Sequence, residues 1–346
     1  MPPYPCSNEK DNTSKADYFD NNRSFFCNCL GNCKILPNFR IKTQMKIDRL
    51  LLPTLLVVLF ALGLAAQQTT DEDDLLSALG EDETTEFVNA SFKTNRVINL
   101  HSLENTAPGV MDFKISHRFG FVNQGVYDLF GLDNASMRLG FEFGLTDRLA
   151  AGFGRASYQK TYDGFIKYKL FRQKTGKKAF PLTVAYISTV AIKTIKPPTD
   201  KPKPYFSANL NYTHQLLIGR KFSDQLSLQV TPILVHRNIV PTAAIDNDIF
   251  LVAFAGRMKL TKWISVNAEF IPIVSGHIDP QYKNSLSLGF DIETGGHVFQ
   301  LHFTNSTSMS DHSIFTETVG DWAKGGVHFG FNVSRVFTLW NKRSKS

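Results

Sequence analysis

Nine histidines are scattered singly along a chain of 346 residues. Histidine is the side chain best suited to proton transfer and metal ligation near neutral pH. His302 and His328 occupy polar positions of the last two alternating segments, where they could face each other. A hydrolase built on them needs a nucleophile and an orienting acid or amide within hydrogen-bond reach. Thr304, Ser306, Asn332 and Ser334 are of the right type, but no spacing selects them. His277, Asp279, Asp311 and His312 are metal-ligand types without metal-ligand spacing. Cys27, Cys29 and Cys33 resemble half a zinc site, yet no second half follows. Downstream of residue 66 there is no HExxH, GxSxG, Walker loop or CxxCH. Gly152 and Gly154 read as strand glycines rather than a phosphate cradle. The expectation is therefore no catalytic residue, no cofactor and no metal, with histidines serving as hydrogen-bonding groups.

The elements that must carry these residues are strands, because from Gly109 onward the dominant period is two. Met111, Phe113, Ile115, Phe119 and Phe121 share one face, and Asp112, Lys114, Ser116 and Arg118 the other. Twelve such segments are expected, at 109–121, 134–145, 148–159, 162–171, 181–195, 205–218, 225–237, 248–260, 263–274, 284–293, 297–306 and 326–339. Their lengths suit tilted strands crossing a bilayer. Short and long connections alternate, with 160–161 as the exception. This pattern predicts an all-β, transmembrane, up-and-down antiparallel β-barrel of about twelve strands, both ends on the periplasmic side. A soluble barrel of that width would be too wide to fill with the small and charged residues on its polar face. The residues expected to line the lumen are Lys114, Arg118, Arg138, Glu142, Lys167, Lys169, Glu269, Asp291, Glu293, His302 and His328. Cross-strand pairing is expected between the strands carrying Asp112/Lys114 and Arg138/Glu142.

The region before the barrel divides by composition. Residues 50–66, LLLPTLLVVLFALGLAA, follow a short basic stretch beginning at Met45 and read as the core of a signal peptide spanning 45–66. Residues 1–44, which hold all four cysteines, are then a spurious or disordered extension. Residues 67–86 form a flexible acidic leader that could plug the lumen or bind a periplasmic partner. The barrel occupies 87–346 and carries 30 basic against 18 acidic residues. No nucleic-acid reader motif accompanies that charge, so nucleic acid is not an expected partner. Outer-membrane lipid, lipopolysaccharide phosphates and the barrel-assembly machinery are.

The strings SFKTNRVINLHSLE (91–104), MDFKISHRFGFV (111–122), TYDGFIKYKLFRQ (161–173), TGGHVFQLHFTNS (294–306) and GFNVSRVFTL (330–339) resemble an uncharacterised family of Bacteroidota outer-membrane β-barrels. The resemblance covers roughly 70–340 and implies a barrel and an outer-membrane address. It transfers no catalytic residues. Phe337 and Trp340 are similar to the aromatic assembly signal of such barrels, although a basic tail, 341–346, follows them. The expected role is a narrow channel for a small anionic solute. The alternatives are a scaffold for a periplasmic or electron-transfer partner, an outer-membrane lipid hydrolase around His302 and His328, or an adhesin acting through loop 307–325.

Overall fold

The computed structural model describes residues 18–20, 23–27, 33–35, 85–88, 90–176, 178–196, 205–294 and 297–340. The expected signal segment, and the acidic leader as far as residue 84, lie outside them. Residues 1–81 form a unit of their own, in which Tyr18–Asp20, Arg23–Cys27 and Cys33–Ile35 pair as a small antiparallel sheet.

In the second unit the alternating segments become twelve strands. They are β1 (Val110–Phe121), β2 (Ala135–Gly144), β3 (Leu149–Ala156), β4 (Thr161–Phe171), β5 (Thr183–Lys193) and β6 (Leu210–Lys221). They continue as β7 (Leu226–Arg237), β8 (Asp248–Lys259), β9 (Ile264–Ile271), β10 (Ser285–Thr294), β11 (His297–Thr304) and β12 (His328–Thr338). Pro272 interrupts β9, which resumes as Ile273–Ser275 against β8, because proline has no N–H to give the ladder. Each strand pairs antiparallel with the next, and β12 pairs back onto β1 from His328↔Phe121 to Thr338↔Val110. Closure leaves no open sheet edge, which a bilayer would not tolerate.

The two faces are inverted relative to a soluble protein. Outward positions hold exposed Met137, Phe153, Tyr186, Phe250, Phe290 and Phe303, an apolar surface far too extensive for water. Inward positions bury Asp112, Lys114, Arg138, Lys167 and Glu269. One arc of the wall departs from this rule. On β5 to β8 the inward residues include Ala185, Ile187, Leu217, Ile233, Val235, Ile249, Leu251 and Ala253.

That apolar arc is covered from within. Residues 91–106 form a hairpin inside the barrel, closed by Val97 N–H to Leu100 O (2.8 Å) and Ser102 N–H to Asn95 O (2.9 Å). The long connection between β11 and β12 folds inward as well and carries a short helix, α1 (Asp311–Thr316), every residue of which is buried. Phe92, Val97, Leu100 and Leu103 of the hairpin and Ile314 and Phe315 of α1 pack on the apolar arc. One expectation changes here. The connection 307–325 is not a free outer loop, since most of its residues are buried. Ahead of the hairpin, Glu86–Phe87 pairs with Lys174–Thr175.

Candidate functional site

The site is the filled lumen, and its centre is the turn of the hairpin. A tight turn points successive backbone N–H groups to one side, and such a concavity attracts an anion. The N–H groups of Ile98, Asn99 and Leu100 all donate to the Glu269 carboxylate of β9, at 2.7, 2.9 and 2.9 Å. Around it, the Asn99 side chain accepts from Arg118 and donates to Ser287 Oγ at 2.8 Å. Gln300 donates to Val97 O and to Asp291 Oδ1 (2.7 Å), and Asn332 Nδ2 donates to Gln300 Oε1 at 2.5 Å. Buried backbone groups are costly unless paired. The polar half of the wall supplies partners for the turn, and the apolar half packs its side chains.

A second knot joins the hairpin to α1. Arg96 Nη1 donates to Asp311 Oδ1 at 2.8 Å, and His101 Nε2 lies 3.3 Å from Oδ2. Thr189 Oγ1 (3.1 Å) and Gln215 Nε2 (3.0 Å), from β5 and β6, donate to the same carboxylate. These hairpin and loop groups lie outside the spanning strands. Burial opposes ionisation of Asp311, but Arg96 and then His101 outweigh it and hold the carboxyl well below the usual range. Burial, aided by Arg96, lowers His101 to about 3, so this ring is neutral at pH 7. Near the long-loop end Glu317 pairs with Lys193 and accepts from Ser313 Oγ (2.9 Å) and Gln159 Nε2 (3.2 Å). Gln159 belongs to the short β3–β4 link, which brings it within reach of the folded loop.

The residues expected to line the lumen occupy inward positions, but their partners differ from simple cross-strand pairs. The register sets Asp112 opposite Glu142, two like charges, and Arg138 opposite Ser116. Arg138 instead reaches across β3 to Asp163 of β4, with Nε to Oδ1 at 3.0 Å and a second bond between Nη2 and Oδ2. Glycine makes this possible, since a Cβ on Gly154 would lie 2.4 Å from Arg138 Nη2. Glu142 accepts from Thr106 Oγ1 (3.2 Å), and Lys167 donates to Glu104 O. Lys169 lies 3.9 Å from Glu104, and Glu293 pairs with Lys93. Arg118 also donates to Ser306 O (2.8 Å) and Ser308 O. Lys114 is buried beside Asp112 and Glu142.

His302 and His328 do not face each other. The ladder sets His302 opposite Gly330 and His328 opposite Thr304. His328 is taken up by Phe119 O (2.8 Å) and Thr307 Oγ1 (2.9 Å). The suggested metal ligands are also separated. His277 is on an exposed loop against Asp246 (2.8 Å), whereas Asp311 and His312 are inside the lumen. Sequence reasoning missed Asp163, Arg96, His101 and the hairpin itself. The apolar inward residues of β5 to β8 were the available signal, because a polar lumen has no use for them unless something apolar lies against them.

Among the described residues, two cavities lie toward opposite ends of the lumen. A cavity of about 420 Å³ opens at the short-turn end, among Lys93, Asn95, Asp112, Glu293, His297 and Ser334. Another of about 360 Å³ lies at the long-loop end, among Lys193, Asn211, Arg237, Ile245, Tyr282 and Glu317. Within the lumen, a void of about 20 Å³ beside Arg96, Lys114 and Arg138 has room for about one water.

Solved structures resemble this barrel at very low identity. The NanC porin is 8% identical with a TM-score of 0.41, covering 66% of this chain and 98% of its own. The KdgM porin is 10% identical at 0.39, covering 66% and 99%. The COG4313 outer membrane channel from Pseudomonas putida F1 is 12% identical at 0.40, covering 68% and 98%. No curated protein matches the sequence. The family model described as "Membrane bound beta barrel domain (DUF5777)" matches residues 92–337, a span that runs from the hairpin through β1 to β12. The chain belongs to that family of membrane-bound β-barrels.

Proposed function

We propose that this protein is an outer-membrane channel for a small anionic solute, held shut by its own hairpin and by the loop bearing α1. The observation that carries the reading is the pair of cavities, about 420 and 360 Å³, at opposite ends of one lumen and parted by those two elements. The short-turn end, where both barrel termini meet, is assigned to the periplasm. The exposed aromatic and aliphatic belt is assigned to outer-membrane lipid. His328 reaches the Thr307 hydroxyl at 2.9 Å, and among the described residues no carboxylate is hydrogen-bonded to it or to His302, so the channel reading is preferred to the enzymatic one.

A second reading has its own observation. Six apolar side chains seal the hairpin and α1 against the wall. At roughly 1.5–3 kcal/mol each, they contribute on the order of 9–18 kcal/mol, which thermal motion alone does not overcome. A permanently closed barrel would serve as a scaffold for a partner. Single-channel recording of the full chain in a planar bilayer separates the two readings. The intact protein is expected to conduct rarely, and a variant lacking 92–104 to open in long, discrete, anion-selective steps. Silence of the deleted barrel, once heat-dependent gel migration shows it folded, would refute the channel and leave the scaffold.

A further inference from the structure

We propose that the cavity at the long-loop end is a binding site for a small amphipathic monocarboxylate, with Arg237 as the seat for its charge. This deepens the channel reading and rests on it only for the direction in which such a solute would travel.

Arg237 closes β7 and is 5% exposed, yet it is poorly employed. Its Nη2 donates to Asp246 O at 2.7 Å, while its buried Nε has no acceptor. Among the described residues no carboxylate comes within ion-pair distance of it. Elsewhere in the lumen Arg96 and Arg138 hold carboxylates, Arg118 holds three protein oxygens, and Arg257 donates to Ser265 Oγ at 3.2 Å. A buried guanidinium with idle donors is costly, and its planar fork matches a carboxylate. The neighbouring cation, Lys193, is already paired with Glu317. Among the described lining residues, the net charge left in this cavity is therefore the single positive charge of Arg237.

The remaining walls set the class of molecule. Ile239, Val240, Pro241 and Ile245 give the cavity an apolar lining alongside the charged groups. A volume of about 360 Å³ falls in the range of small-molecule sites and far exceeds what a bare inorganic anion needs. Hydrocarbon can lie on the apolar lining while the head group meets Arg237, with Asn211 and Tyr282 as further polar groups. Glu317 limits the charge of the guest. Burial works against its ionisation, but Lys193 outweighs it and keeps the carboxylate charged. A second carboxylate on the ligand would face this negative group, which selects a monoanion.

The test is calorimetric titration of the purified full chain in detergent against protein-free micelles. The probe is 4-phenylbutyrate, the neutral comparison 4-phenylbutanamide, and the head group alone acetate. Saturable one-to-one binding of the probe is expected, with the amide and acetate weaker by at least about tenfold, as loss of a charge-assisted contact predicts. Arg237→Gln is expected to weaken the probe by a similar factor and leave the amide unchanged. Equal binding of acid and amide to the unaltered protein, or no saturable binding of the probe, overturns the proposal even if the variant fails to fold. Equal binding of the probe by a folded variant overturns it too. Binding without conductance in any variant would refute the channel and leave this site, and conductance without binding would do the reverse.

Discussion

Replacing Glu269 separates the role of the hairpin's anchor from that of the barrel. Glu269 is 1% exposed, and its Oε1 accepts the N–H groups of Ile98, Asn99 and Leu100, while Oε2 lies 3.0 Å from Asn99 N. Glu269→Gln keeps one acceptor oxygen but loses the charge and the second oxygen. At pH 8, with the carboxylate ionised, hydrogen bonds to the charged group are worth about 1.5–3 kcal/mol, so hairpin opening should become roughly 10- to 150-fold more favourable. Glu269→Ala leaves three buried donors without an acceptor. At about 1–3 kcal/mol each the loss is about 3–9 kcal/mol, toward the lower end if water enters the space. The barrel should survive both changes, because residue 269 keeps its backbone pairing with Ala255 and Ser287. Amide hydrogen exchange read at residues 97–100 and in the β9–β10 ladder gives both quantities in one experiment. Faster exchange confined to the turn, and greater in Ala than in Gln, is the expected result. Unchanged protection of Ile98 and Leu100 in a folded Glu269→Ala protein would show that the carboxylate does not hold the turn, and the reasoning would fail.

Other perturbations address other parts of the lumen. Asp163→Asn strands the buried Arg138 charge and should destabilise the barrel by about 3–5 kcal/mol, read as a lower urea midpoint for loss of the fast-migrating folded form; an unshifted midpoint would count against the pair. Leu100→Ala removes apolar packing from the hairpin and should cost it about 2–5 kcal/mol, seen as faster exchange at 97–102 with little change in the barrel ladders. Acid should loosen the plug. His101, lowered to about 3, and His312, lowered to about 4 chiefly by burial, take up protons near 6.5 once released, so the open state binds more protons. The contribution of these two rings is therefore full above about 6.5 and falls as pH drops toward those values, by up to about 1.4 kcal/mol per pH unit for each ring. Asp311 and Glu317, held below their ordinary range, act in the same direction at lower pH. Exchange at residues 97–102, corrected for intrinsic rates, should rise between pH 6.5 and 4, and His101→Asn should flatten that rise; a slope untouched by the substitution would exclude His101 as its source.

Twelve strands and their facing were legible because a bilayer demands one apolar face and closed pairing, and both constraints imprint a period of two. Lys114, Arg138 and Glu269 could be placed inward from that period alone. Their partners could not, because alternation fixes a face and says nothing about reach. Arg138 crosses the intervening strand β3 to Asp163 over a stretch that reads in sequence only as Ala150, Gly152, Gly154 and Ala156. The hairpin escaped for a different reason. Residues 91–106 are mostly enclosed by protein, half polar and half apolar, so no periodic face marks them. Loop 307–325 is rich in serine, threonine and charge, which normally means solvent. Here those groups are paired inside the lumen, as Asp311 with Arg96 and Glu317 with Lys193 show.

The knot at Asp311 makes the hairpin and the loop one closure rather than two. If the hairpin withdrew toward the short-turn end by itself, Asp311 would lose Arg96 and His101 and keep only Thr189 and Gln215. A buried carboxylate stripped of its cation costs about 3–5 kcal/mol, in addition to the exposure of Ile314 and Phe315 as Val97 and Leu100 leave the shared apolar cluster. Withdrawal of the loop by itself strands Arg96 in the same way. The lower-cost route moves both, and each then hydrates its charges outside the barrel. On the proposed channel reading, a trigger acting at either mouth, a ligand among the long loops or a pull on the chain preceding Ser91, is therefore expected to be felt at the other.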